Sequence, residues 1–215
     1  MATLDEAMEL LRERATEQRL ADLSKWGIPS RHAIGVPVKD IRAVAKLVGT
    51  DHALAEELWS TGIYEARMLT SFVGDPATLT AEQMDSWMAD VDDWSLCDTL
   101  CFGFFDRSNH AWGRVDAWES DERLYVRRGA FALLWALGSH ARDAAPEEFI
   151  ARLPACERAA SDPRPHVRKA VDMALRSIAR RGPDVHAAVA ETAGRLAASD
   201  DRGAAAIGRA VARRI

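Results

Sequence analysis

The sequence predicts an all-α chain arranged as a curved solenoid of about six antiparallel helix pairs, and three observations predict it. Apolar residues recur at helical spacing almost throughout the 215 residues, with no sustained polar/apolar alternation of β-branched residues. Prolines and glycines fall between the periodic stretches. The stretches, joined by short loops, number about twelve and pair with a period of about 35 residues, within the range of helical repeat arrays. A compact helical bundle is the alternative packing. No long linker interrupts the chain, so one domain is expected over residues 1–215.

Helices are expected near residues 4–24, 38–48, 51–61, 63–73, 80–90, 94–106, 109–119, 121–137, 146–160, 164–181, 183–198 and 201–214. Several starts have a stated cause. Pro37 fits a first turn, where its missing N–H costs nothing. Thr80-Ala81-Glu82-Gln83 has the form of a capping box, in which hydroxyl and amide satisfy each other's backbone donors. Asp92 or Asp93 can cap the helix that begins at Trp94. Gly182-Pro183 ends one helix and begins the next.

With 48% hydrophobic and 28% charged residues, the chain can bury a sizeable core, and no apolar run is long enough to span a bilayer. The acidic start, Met1-Ala2-Thr3-Leu4-Asp5-Glu6, lacks the form of a signal peptide, so a cytoplasmic location is expected. Three cysteines then read as reduced thiols: Cys97 and Cys101 four apart on a helix, Cys156 far away. No Cys or His cluster completes a metal site, and no H-E-x-x-H pattern occurs, so neither metal nor cofactor is expected. The net charge of -5 hides an asymmetry. Residues 1–121 hold 11 Lys+Arg against 22 Asp+Glu, whereas residues 122–215 hold 17 against 11. Such a division allows one basic face on an acidic molecule, although ordinary solvated helix surface gives the same counts.

Three segments carry candidate chemistry. In Asp92-Asp93-Trp94-Ser95-Leu96-Cys97-Asp98, Trp94 and Asp98 are four apart and share a helix face, while Leu96 and Leu100 point to the core. A carboxylate among Leu, Cys and Phe is costly unless it pairs with an arginine or faces a cleft. In Leu124-Tyr125-Val126-Arg127-Arg128, two arginines interrupt an apolar stretch. One of them must reach a polar groove or an ion pair within the fold. Over residues 165–181, Val167, Ala170, Val171, Ala174, Leu175 and Ile178 form a buried stripe. Lys169, Met173, Arg176 and Arg180 follow i, i+4, i+7, i+11 on another face, a spacing that suits phosphates along a backbone or simple solvation.

Together these segments resemble the AlkD-like alkylpurine glycosylases of the DNA alkylation repair proteins. The resemblance covers most of the chain. It runs from Gly35-Val36-Pro37-Val38-Lys39-Asp40-Ile41-Arg42 with Ala45-Lys46, through Leu58-Trp59 and Gly62-Ile63-Tyr64-Glu65-Ala66-Arg67. Trp94-x-x-x-Asp98, Val126-Arg127-Arg128-x-Ala130 and Val167-Arg168-Lys169-Ala170-Val171 before Ala174-Leu175-Arg176 complete it. The resemblance implies HEAT-like repeats curved around alkylated double-stranded DNA, and a monomeric, monofunctional N-glycosylase for cationic N3- and N7-alkylated purines. It implies Asp98 as the catalytic carboxylate, with Trp94 packed against the sugar and backbone of the lesion. Arg128, with Arg127 as the alternative, matches the arginine that grips phosphate, and Asp98, Trp94, Arg128 and Met173 are expected on one concave surface. There is one departure: where the family motif reads Lys-Ala-x-x-Trp-Ala-Leu-Arg, this chain has Met173 at the aromatic position. The second reading is therefore a non-catalytic HEAT-repeat scaffold that binds DNA or protein with a drifted active site.

Overall fold

Helix starts and stops along the chain follow from local backbone chemistry. The computed structural model describes residues 2–29 and 31–215. Thr3 and Glu6 form a full capping box at α1 (Leu4–Arg12): the Glu6 N–H donates to the Thr3 hydroxyl, and the Thr3 N–H to the Glu6 carboxylate at 2.8 Å. A single helix over 4–24 was expected, but Thr16 divides it. Its hydroxyl caps α2 (Glu17–Lys25), and its own N–H donates to the Gly35 carbonyl at 2.9 Å. Pro37 stands one residue before α3 (Val38–Val48), as its N-cap. There follow α4 (His52–Ser60), α5 (Tyr64–Val73), α6 (Ala81–Ala89) and α7 (Trp94–Gly103), then a 3-10 turn at Phe105–Arg107. The capping box expected at Thr80 forms only by half. The Thr80 hydroxyl accepts the Gln83 N–H, but the Gln83 amide turns to Glu56 and His52 on α4. Tertiary partners outcompete the local return bond.

Beyond residue 109 lie α8 (Ala111–Trp118), α9 (Leu124–His140), α10 (Pro146–Ile150), α11 (Leu153–Ala159), α12 (Pro165–Ile178), α13 (Pro183–Ala197) and α14 (Arg202–Ala212). The helix expected over 146–160 is two, because Pro154, in the first turn of α11, cannot donate to a continuing ladder. Prolines open α12 and α13 as well, and Gly182 takes φ +116° just before Pro183. No strand occurs among the described residues, and none of their helices is long and apolar enough to cross a membrane.

The contacts divide the chain into two compact units, Met1–Asn109 and His110–Ile215. In the first, α5 packs on α3, α4 and α7. Its core holds stacked Trp59 and Trp87, centroids 5.0 Å apart, with Phe104 beside Trp87. In the second, α9 packs on α12 and α8, and α13 on α14. Several cross-helix bonds in each unit share one separation. In the first unit Ile34–Glu65, His52–Gln83, Trp59–Asp90 and Tyr64–Ser95 are all 31 residues apart. In the second Arg128–His166, Ser139–Ser177 and Arg195–Glu157 are 38 apart. These separations bracket the period of about 35 expected from helix lengths.

Candidate nucleic-acid interface

The α7 helix carries the first constellation. Its start is held by Asp93, whose Oδ1 accepts the Ser95 and Leu96 N–H groups at 2.7 and 3.0 Å. Leu96, Cys97, Leu100 and Cys101 turn into the core, as helical periodicity requires. That leaves Trp94 and Asp98 half-buried on the opposite face, one turn apart. The Trp94 indole N–H donates to the Trp26 carbonyl at 3.0 Å, which fixes the ring's orientation against the end of α2. Asp93 is 1% exposed, and its Oδ2 has no hydrogen-bond partner. Burial pushes its carboxyl up to about 6 against the pull of the two N–H groups, and the charges of Asp92 and Asp98 add to the rise. Burial likewise raises the Cys101 thiol, which together with its full burial makes it packing, not a nucleophile. Cys97 and Cys156 are buried free thiols too.

The loop before α3 is fixed by a buried carboxylate. Glu65 on α5 is fully buried and accepts three backbone N–H groups, from Ile34 at 2.8 Å, Gly35 at 2.7 Å and Val36 at 3.2 Å. Gly35 sits at φ +87°, where a β-carbon would run into the Thr16 carbonyl, so no other residue fits. The Gly35-Val36-Pro37 and Tyr64-Glu65 motifs are thus two halves of one lock. A cavity of about 370 Å³ opens beside it, lined by His32, Tyr64, Leu96 and two ion pairs, Arg31–Asp92 and Arg67–Asp90, each at 3.4 Å. Tyr64 donates to the Ser95 hydroxyl at 3.1 Å.

The second unit holds the remaining candidates. Arg127 is bound within the fold: it donates to the Glu119 carbonyl at 2.9 Å and pairs at 2.9 Å with Asp162, whose side chain is sealed from solvent. Arg128 is buried and donates to the His166 carbonyl at 2.7 Å, joining α9 to the first turn of α12. On α12 the expected apolar stripe is fully buried from Val167 to Ile178. Lys169 and Arg180 are exposed, the latter in the turn after the helix; Met173 and Arg176 are half-buried. Asp172, which the basic spacing passes over, sits among them. Its Oδ2 takes Arg176 at 2.6 Å and lies 3.8 Å from Lys169. Arg176 also donates to the Met173 sulfur at 2.9 Å. The stripe is therefore less basic than its spacing suggests.

One residue escaped the sequence reading. Trp26, in the turn ending α2, is 60% exposed, and its carbonyl orients Trp94. Periodicity could not mark it, because it falls outside the helix; a tryptophan in a turn was the available signal. Among the described residues no group of three or more His, Cys, Asp or Glu is set to hold a metal ion.

Comparison with known proteins adds the following. A family model described as DNA alkylation repair enzyme matches residues 7–205. Among solved structures, one matches with a TM-score of 0.80 over 99% of this chain and 95% of the other, at 18% identity. It is described as one of a new family of proteins related to the HEAT-like repeat DNA glycosylases with affinity for branched DNA structures. At that identity the likeness speaks for a shared all-helical, HEAT-like fold. No curated protein matches the sequence.

Proposed function

This chain belongs to the DNA alkylation repair enzyme family, and on that premise we propose that it hydrolyses the N-glycosidic bond of cationic N3- and N7-alkylated purines in duplex DNA. One observation carries the reading: Asp98 and Trp94 are half-exposed and one turn apart on a helix that buries Leu96, Cys97, Leu100 and Cys101. The chemistry asks little more. An alkylated purine already bears positive charge, so the C1′–N bond breaks with its electron pair neutralising the departing base. Asp98 stabilises the oxocarbenium-like sugar electrostatically. It also orients the water that bonds to C1′ and receives the water's proton. Trp94, its ring fixed through Trp26, offers a π face to cationic charge near the lesion. Arg128 is the candidate phosphate grip on the family resemblance alone, since it is buried on the His166 carbonyl as Arg127 is held by Asp162. Lys169, Met173, Arg176 and Arg180 supply a further backbone-contacting face.

The test is release of N7-methylguanine from duplex DNA under single turnover. Asp98→Asn keeps the shape and removes the charge, and should slow release by about 10²-fold or more. Equal rates for the two proteins, or no release by the wild type, would discard the glycosylase. A second reading, DNA binding without chemistry, is favoured by Met173 at the place of the family's tryptophan. Under it the wild type binds linear or branched duplex yet releases no base, and Asp98→Asn binds equally well.

A further inference from the structure

The last helix presents a cationic face that forms no ion pair among the described residues. Gly208 packs α14 so closely on α13 that a β-carbon there would strike the Ala197 backbone, and Ala204, Ala205 and Val211 bury the same side. At about 100° per residue, Arg202, Arg209 and Arg213 then fall within about 40° of one another on the opposite, exposed side. They are spaced about 10 Å and about 6 Å along the axis. Several other arginines of this unit are held in ion pairs: Arg152 by Asp116 and Glu148, Arg158 by Glu119, Arg164 by Asp162, Arg195 by Glu157. Among the described residues Arg202, Arg209 and Arg213 have no such partner.

Beside them runs a groove of about 340 Å³ between α12 and α14. Its α14 wall holds the small residues Gly203, Ala206 and Ala210 with Ile207, and its α12 wall Pro165, Arg168 and Lys169, with Asp172 between the helices. The Arg168 stem lies against Gly203, where a β-carbon would meet it at 3.1 Å. Small residues let a partner approach the helix axis while cations flank it on both sides. That combination fits a linear polyanion with regularly spaced charge, and a residual Asp172 would repel a carboxylate-rich peptide no less than a phosphate, so charge density decides. A DNA strand, which carries one phosphate at each nucleotide, supplies that charge density.

We infer that the α14 arginine face and the α12–α14 groove bind the phosphodiester backbone of duplex DNA. The inference rests on the reading that this protein acts on DNA, and it adds a contact surface remote in sequence from Asp98. The interaction is independent of base sequence and of the lesion.

The test compares the wild type with the triple variant Arg202→Gln, Arg209→Gln, Arg213→Gln on an undamaged linear duplex, by anisotropy across a salt series. These side chains are exposed, so the melting temperature should hold. The slope of log affinity against log salt should fall by about 0.9 for each lost phosphate contact, with affinity down on the order of tenfold or more at low salt. Ala206→Glu, which adds a carboxylate to the groove and removes no arginine, should weaken binding as well. Unchanged affinity and slope in both variants would overturn the inference, as would a wild type that binds no duplex. Lost binding to vesicles of anionic lipid with DNA affinity intact would assign the face to another polyanion and overturn it equally. Base release at saturating protein separates the two proposals. Absent release with an altered salt slope sinks the glycosylase alone, and normal release with an unaltered slope sinks this surface alone.

Discussion

Four buried carboxylates, two from each unit, are held in contrasting ways. In the first, which carries 10 Lys+Arg against 19 Asp+Glu, the buried carboxylates Glu65 and Asp93 are held by backbone N–H groups. In the second, with 18 against 14, Asp162 and Asp172 are held by arginine side chains, Asp162 also accepting the Arg164 N–H. A carboxylate held by the backbone fixes chain geometry: Glu65 sets the loop before α3, and Asp93 sets the start of α7. A carboxylate held by arginine instead consumes cationic charge that would otherwise face a ligand. Hence Arg127 and Arg176, both candidates from the sequence, are partly neutralised, while Arg202, Arg209 and Arg213 have no ion-pair partner among the described residues. Counting basic residues overestimates a basic face wherever an acid lies between the strands of the pattern.

The largest effect expected from this difference is at Glu65. Replacement by alanine strands three backbone N–H groups in the interior, at about 1–3 kcal/mol each. Glu65→Ala should therefore lose more than about 3 kcal/mol in denaturant unfolding, with Glu65→Gln recovering part of it. A loss below about 1 kcal/mol would mean that the loop is held by something else.

The pH dependence of stability separates Asp93 from Asp162, because their shifts have opposite signs. Asp93 is raised to about 6, so the folded state binds its proton more tightly than the unfolded chain. Its ionisation then weakens the fold as pH climbs from about 4 to about 6. Asp93→Asn keeps the cap and lacks this loss, so it should gain on the wild type across that window. Asp162 is lowered, first by its bonds from Arg164. Its contribution is present above the unfolded carboxylate pKa of about 3.9 and disappears as pH falls through the lower folded value. Asp162→Asn should be weaker than wild type near neutrality, by about 2 kcal/mol once partial exposure of its arginines is allowed for, and should converge with it in acid. Parallel pH profiles for the two variants would erase the distinction.

A smaller effect is expected at Met173, where an arginine bonds to sulfur. Met173→Trp replaces that contact with a π face worth roughly 0.5–2 kcal/mol toward a cation. Single-turnover excision of N7-methylguanine should rise about twofold to thirtyfold if the contact forms only in the transition state. No change in rate at unchanged melting temperature would mean that this side chain does not meet the lesion.

What could be read from the sequence was what is local. The α12 stripe, the cap at Asp93, the burial of the three cysteines and the shared face of Trp94 and Asp98 all follow from 3.6-residue periodicity and terminal donors. The breaks at Thr16 and Pro154 were local too, and their signals stood in the sequence: a threonine able to cap, and a proline inside a periodic run. The tertiary structure alone decided partner choice. Glu65 reads as one more surface acid until packing brings residues 34–36, about thirty positions earlier, to within 3.2 Å of it. Asp162 reads as a loop residue until α9 delivers Arg127. The shared separations of 31 and 38 residues, and the lack of ion-pair partners for the α14 arginines among the described residues, arise in the same way. Periodicity says which way a side chain points along its own helix. Which charge it meets there depends on helices thirty to forty residues distant, and only their packing brings those together.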